Sequence, residues 1–238
     1  MQLSIVICSY NRASYISDAL DSLYTQTAGL NAFEAIIVDN NSTDNTAEVF
    51  SQWRAAHTKG RFSYITETNQ GASFARNTGA AFAKGQCLCF MDDDAVATPN
   101  YVENILKHIE TKPDAVGFGG RIIPKYIPAE PKWMSYYVSS LVGNFDYAPT
   151  ACAFENGKYP LESNMIVKKD VYGCMTACYL QKKPAQMLAK ANAILKKKHP
   201  NYRLLVYDGG RPFAIQKILW NSLSQYPPHQ RETYVASP

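Results

Sequence analysis

The sequence predicts an α/β domain built on a mainly parallel sheet, and three observations carry that prediction. Short apolar runs recur at residues 3–8, 33–38, 62–66 and 87–91, each bounded by polar turn residues. Between them stand stretches whose apolar residues recur at helical spacing, and strands separated by helices of that length become parallel through right-handed crossovers. The 238 residues are 46% hydrophobic and 18% charged, enough apolar chain to bury a core and too much for a disordered one.

The elements follow in order. Ile5, Val6 and Ile7 dominate the first buried strand, and Ser9-Tyr10-Asn11-Arg12 is the polar turn at its carboxyl end. Ile16, Ala19, Leu20, Leu23 and Tyr24 then mark one face of a helix. The strand at 33–38 runs into Asp39-Asn40-Asn41-Ser42-Thr43-Asp44, whose last residues suit the N-cap of a helix carrying Ala47, Val49, Phe50 and Trp53. After the strand at 62–66, Asn69-Gln70-Gly71-Ala72-Ser73 leads into a helix with Phe74, Ala75, Thr78 and Phe82 on one face. The strand at 87–91 is apolar throughout and should be buried on both faces. Thr98-Pro99 should open the next helix, with Pro99 at its first position, running to about residue 110.

The fourth strand runs straight into Asp92, Asp93 and Asp94. Three adjacent carboxylates repel one another unless something positive neutralises them. If the backbone stays extended, Asp92 and Asp94 share a face and offer oxygen donors to a hard cation, Mg2+ or Mn2+. Such a run alone is a weak signal, because most acidic runs are solvated loops. Its weight comes from the other strand ends, where ligands bind in sheets of this kind. Tyr10, Asp39, the turn at 71–76 with Arg76, and the three aspartates all fall there. An aromatic ring can stack on a base, an aspartate can accept from a pyrimidine N–H, and an arginine can meet base or phosphate. Taken singly, Asp39 also suits an Asx turn and Arg76 a helix surface. The glycine fingerprint of dinucleotide-binding proteins is missing after the first strand, which argues against NAD.

The remaining features bound the function. A net charge of +4 is too small to indicate a nucleic-acid partner, although anionic substrates suit it. No apolar run approaches the roughly 18 residues that span a bilayer, and the opening residues lack the basic flank of a signal peptide. A cytoplasmic protein is the expectation, and the six scattered cysteines agree with reduced, mostly buried thiols.

The ordered motifs resemble the family 2 inverting glycosyltransferases. They comprise residues 4–12, Ser22-Leu23-Tyr24-Thr25-Gln26-Thr27, residues 34–46, Asn69-Gln70-Gly71 with Ala75-Arg76-Asn77-Thr78-Gly79, and Phe90-Met91-Asp92-Asp93-Asp94 with Pro99. The resemblance implies a GT-A fold and a nucleotide-sugar donor, often uridine-linked, bound with Mn2+ or Mg2+. By that resemblance Ser9, Tyr10, Asp39 and Arg76 contact the nucleotide, Asp92 and Asp93 approach the ribose or donor sugar, and Asp94 binds the metal. Ala95 stands where many members carry a further aspartate. Residues 116–121 resemble the strand beneath the donor. Residues 159–169 resemble the stretch before the acceptor site, with Asn164 as a sugar contact. The aromatic and proline-rich segment at 124–147 suits an acceptor loop, with Trp133 able to stack on a sugar or to pack on the core.

The match ends after Val171-Tyr172, where the family continues with a glycine-rich segment and an acidic pair that supplies the catalytic base. Beyond Asp170 this sequence holds only Asp208 and Glu232 as acids. Asp208, after an apolar run and before Gly209-Gly210, is the candidate base, although a turn residue would look the same. Residues 1–172 therefore form the expected GT-A-like domain, and 173–238 a divergent basic segment. In that segment Met187, Leu188, Ala191, Ile194 and Leu195 give an apolar helical stripe among lysines, able to pack on a core or to lie on an anionic membrane. The expected function is transfer of a sugar to a saccharide or lipid-linked saccharide, in cell-surface polysaccharide synthesis. The alternative is a catalytically impaired nucleotide-sugar-binding protein whose tail serves a partner or membrane. A nucleotidyltransferase ranks below both, for want of a basic glycine-rich loop after the first strand.

Overall fold

The computed structural model describes residues 1–135, 139, 142–154, 160–173, 193 and 196–197. Contacts divide the chain into Met1–Val171 and Tyr172–Pro238. In the second unit the described residues Tyr172, Gly173, Ala193, Lys196 and Lys197 are helical, and the expected stripe of Met187, Leu188, Ala191, Ile194 and Leu195 lies outside the described residues.

The described residues include six strands and five helices. In chain order these are β1 (Leu3–Ser9), α1 (Ile16–Tyr24), β2 (Phe33–Asp39), α2 (Thr46–Ala56), β3 (Arg61–Thr66) and α3 (Ala72–Phe82). There follow β4 (Cys87–Asp92), α4 (Tyr101–Thr111), β5 (Gly117–Gly119), β6 (Asn164–Lys168) and α5 (Lys169–Gly173). The sheet order is β3-β2-β1-β4-β6-β5. The first four strands pair in parallel, as their βα spacing requires, while β6 runs antiparallel to both β4 and β5.

The central strands are apolar on both sides because both faces are covered. Leu3, Ile5 and Ile7 point with Phe33, Ala35 and Ile37 into a core shared with Leu20 and Leu23 of α1, Trp53 of α2 and Ile105 of α4. Helix α3 covers the other face through Gly79. A Cβ there would lie 2.3 Å from Val6 Cγ1 and 3.0 Å from Val38 Cγ2, so the helix can approach this closely only without one. At the end of the sheet opposite the carboxyl edge, buried Glu34 accepts from Ser4 Oγ and Lys84 N, both at 2.6 Å. Ser4 Oγ in turn accepts from Gly85 N at 2.8 Å.

One expected boundary needs correction. Helix α4 begins at Tyr101 and not at Pro99. Pro99 sits in the turn before it, where Tyr101 N donates to Thr98 O at 2.9 Å and Thr27 N donates to Pro99 O at 2.8 Å. Gln26 closes the helix end. Its side chain accepts from Val102 N and donates to Thr98 O, both at 2.8 Å, satisfying a donor that the first turn leaves without an intrahelical partner.

Candidate functional site

Pairing register sets the site. Ser9 stands opposite Asp39 across β1 and β2, and Cys8 opposite Asp92 across β1 and β4, so three strands deliver polar residues to one carboxyl edge. The loops beyond are tied together by asparagines. Asn11 and Asn41 take left-handed backbone (φ 54° and 64°), a conformation asparagine tolerates better than most residues. Asn11 Oδ1 accepts from Thr43 N at 2.8 Å and Asp44 N at 3.2 Å, joining the β1–α1 and β2–α2 loops. Buried Asn40 ties the end of β2 to the loop between β3 and α3. Its Nδ2 donates to Glu67 O at 3.2 Å and Asn69 O at 2.7 Å, and its Oδ1 accepts from Gly71 N at 2.7 Å. Asp39 is buried beside it, and its Oδ1 accepts from Ser42 N at 3.0 Å, closing the Asx-type turn.

The acidic run departs from the extended geometry expected of it. Strand β4 ends at Asp92; Asp93 and Asp94 form a turn closed by Ala95 N donating to Asp92 O at 3.2 Å. Exposure nonetheless alternates, with Asp92 and Asp94 open and Asp93 buried. Partial burial of its carboxyl, then Asp94, raise the proton affinity of Asp92, with Arg76 opposing. Asp93 is raised chiefly by burial, with Ser9 and Arg12 opposing and the flanking aspartates adding to the rise. The buried Ser9 hydroxyl acts on that carboxylate without a well-formed hydrogen bond of its own. Arg12 Nη1 lies 3.9 Å from Asp94 Oδ2, a long contact between half-exposed groups that contributes little.

The site thus carries more negative charge than its arginines neutralise. Among the described residues no three His, Cys, Asp or Glu side chains gather closely enough to cage a metal. The donor set fits a hard cation held by one or two carboxylates, with diphosphate oxygens and water completing the shell, which is how Mg2+ is commonly bound.

Arg76, in the second turn of α3, pairs with Glu162 at 2.8 Å (Nη1 to Oε2). The two line a cavity of about 400 Å³ with Asp92, Pro160, Leu161 and Ser163. Tyr10 lies at the same edge with its ring half exposed. Asn164 is buried in β6, accepting from Tyr101 Oη at 2.7 Å and donating to Arg121 O at 3.1 Å. Trp133 is 71% exposed in the loop before β6. Asp208 lies outside the described residues. Sequence reasoning did not single out Asn40, Asn11 or Glu162. The left-handed Asn-Asn turn left a trace in composition, whereas Glu162 is a lone acid whose place depends on how β6 pairs. The described cysteines are free, and burial pushes the Cys8 and Cys89 thiols up to about 12.

A mixed sheet with carboxylates, an arginine and an aromatic ring gathered at its carboxyl edge is an α/β architecture with a candidate ligand site at the strand ends. The chain belongs to glycosyl transferase family 2, whose model matches residues 4–186. The mostly parallel sheet flanked by helices is the fold expected from that membership. The chain is 27% identical to the glucosyl-dolichyl phosphate glucuronosyltransferase of Haloferax volcanii, over 72% of this chain and 54% of that protein. It is 37% identical to the validoxylamine A glucosyltransferase of Streptomyces hygroscopicus subsp. jinggangensis, over 44% of this chain and 24% of that one. A mannosyltransferase from Pyrobaculum calidifontis, in complex with GDP-Man and Mn2+, superposes with a TM-score of 0.47 at 26% identity, over 50% of this chain and 34% of that chain. The chain spans about half the length, or less, of these curated relatives. Among the described residues no helix is long and apolar enough to cross a membrane.

Proposed function

We propose that residues 1–172 bind a nucleotide-sugar donor, a uridine diphosphate sugar in the first instance, and transfer its sugar with inversion to a saccharide or lipid-linked saccharide. The observation that carries this reading is the register that brings Ser9, Asp39 and Asp92 to one edge, within a chain of this family. Asp39, Ser9 and Tyr10 take the nucleoside: the carboxylate accepts from the base and the ring stacks. Arg76 meets the diphosphate or base with its planar fork of donors. Asp92 and Asp93 approach the ribose and donor sugar, and Asp94 with Asp92 holds Mn2+ or Mg2+. That ion, when bound, supplies charge neutralisation to the leaving diphosphate as a Lewis acid. Asn164 and Trp133 lie on the acceptor side, Asn164 through whatever hydrogen-bonding capacity its two protein partners leave.

The test is calorimetric titration with UDP, dTDP and GDP, each with and without Mn2+. Metal-dependent binding of one nucleotide supports the donor site and names the base. Failure of all three to bind would overturn it. The reading as a binding protein without turnover draws on one observation, the scarcity of acids beyond Asp170. Asp208 is the base candidate that the sequence offers there.

A further inference from the structure

We propose that Glu162 is the carboxylate that takes the proton from the acceptor hydroxyl. This rests on the transferase reading and deepens it, placing the missing base within the first unit and not at Asp208.

Transfer to a hydroxyl requires a carboxylate that is open to the incoming acceptor and held beside the donor. The cavity at the carboxyl edge is lined by two acids, Asp92 and Glu162. Asp92 ends β4 in the aspartate run, which the reading above assigns to the donor sugar and the metal. Glu162 enters from a different element. It occupies the turn before β6, in which Asn164 N donates to Leu161 O at 3.0 Å. Asn164 stands opposite Met91 across the antiparallel β4–β6 pair, so the turn emerges beside the end of β4, where the aspartates begin. The buried Asn164 amide, held by Tyr101 Oη and Arg121 O, fixes that turn from below.

The side chain has the right disposition for a base. It is 66% exposed while its Oε2 is fixed by Arg76 at 2.8 Å, so one oxygen is oriented and the other stays open to an acceptor. Arg76 has five N–H donors and can serve Glu162 and a phosphate together. The pair therefore sets the base at a fixed place relative to the leaving group, which is where positioning contributes most to rate.

The step balances without a further reactant. The acceptor oxygen forms a bond to the anomeric carbon as the carbon–oxygen bond to the diphosphate breaks, its electron pair leaving on the phosphate oxygen. The hydroxyl proton passes to the open Glu162 oxygen and from there to solvent. Attack from the side opposite the leaving group gives inversion.

The experiment uses the full chain, with water standing in as acceptor. UDP release from UDP-glucose and UDP-N-acetylglucosamine, and GDP release from GDP-mannose, are followed with Mn2+, alongside calorimetric binding of the same nucleotides. E162Q should bind nucleotide within about threefold of the parent and lose about 10²-fold to 10⁴-fold in turnover, the range for a positioned base. In E162A, added formate should restore part of the rate, a response that a merely structural role would not produce. Turnover of E162Q within tenfold of the parent, or loss of nucleotide affinity in step with rate, overturns the assignment of Glu162 alone. A parent protein that binds nucleotide yet releases none overturns it in favour of a binding protein. Absence of all nucleotide binding by the parent overturns the transferase reading itself.

Discussion

Replacing Asn40 by alanine should loosen the carboxyl edge of the sheet more than any exposed substitution. The side chain makes three hydrogen bonds, to Glu67 O, Asn69 O and Gly71 N, that tie the end of β2 to the segments after β3 and before α3. Each such bond contributes about 0.5–1.5 kcal/mol net, and the two carbonyls can partly regain water, so the loss should be about 2–3 kcal/mol. For a unit of this size that corresponds to a fall in Tm of about 5–10 °C. Gly71 opens α3, and Arg76 lies on its second turn, so nucleotide affinity should fall alongside stability. Thermal unfolding followed by circular dichroism, with UDP titration in Mn2+ below the transition, measures both. Asn40→Asp keeps the acceptor for Gly71 N and sets a carboxylate against two carbonyls, so it should be no better than alanine at pH 7. A Tm within about 2 °C of the parent for Asn40→Ala would refute the bracing role.

Other expectations follow from single contacts. Asp94→Ala should abolish the metal dependence of nucleotide binding while leaving Tm nearly unchanged, since its contact to Arg12 is long and exposed; unchanged metal dependence would remove Asp94 as a ligand. Gly79→Ala, which in a free helix gains about 1 kcal/mol, should instead cost about 1–3 kcal/mol, because the new Cβ meets Val6 at 2.3 Å. A raised denaturation midpoint would contradict that packing. Thiol labelling should follow burial. With Cys8 and Cys89 pushed up to about 12, the thiolate share at pH 8 is about one in 10⁴, so iodoacetamide should modify exposed Cys152 and spare both until unfolding. Labelling of Cys8 at the rate of Cys152, read by peptide mass spectrometry, would show that β1 opens in the native state.

The parallel half of the sheet was legible because its signals are local. The apolar runs of β1, β2 and β4 and the helical spacing of α1 and α3 are read within a dozen residues, and the polar groups at their ends follow from where strands stop. Strand β6 was less so. Only Asn164 and Ile166 of its five residues are buried, and it was noticed through family resemblance before any strand pattern. With β6 goes Glu162, whose relation to Arg76 joins positions 86 apart in the chain. The same holds for Gln26, which closes α4 across 76 positions, while Thr98-Pro99 looked like a sufficient helix start by itself. The acidic run misled in one respect. Alternation along a strand was extended past Asp92, where the chain had already turned.

The place of β6 also has a temporal consequence. It fills the sheet between β4 and β5, yet roughly 75 residues of chain separate the end of β4 from the end of β6. A ribosome adding about 5–20 residues per second needs about 4–15 s to make them. During that interval the four parallel strands can assemble, and the Cys87–Asp92 strand stands as an open edge of apolar residues, the kind of edge that recruits strands from other chains. If the parallel strands assemble before β6 is made, the lifetime of that open edge is set by translation. Slowing synthesis between codons 93 and 168 should lower the soluble yield more than the same delay placed after residue 168.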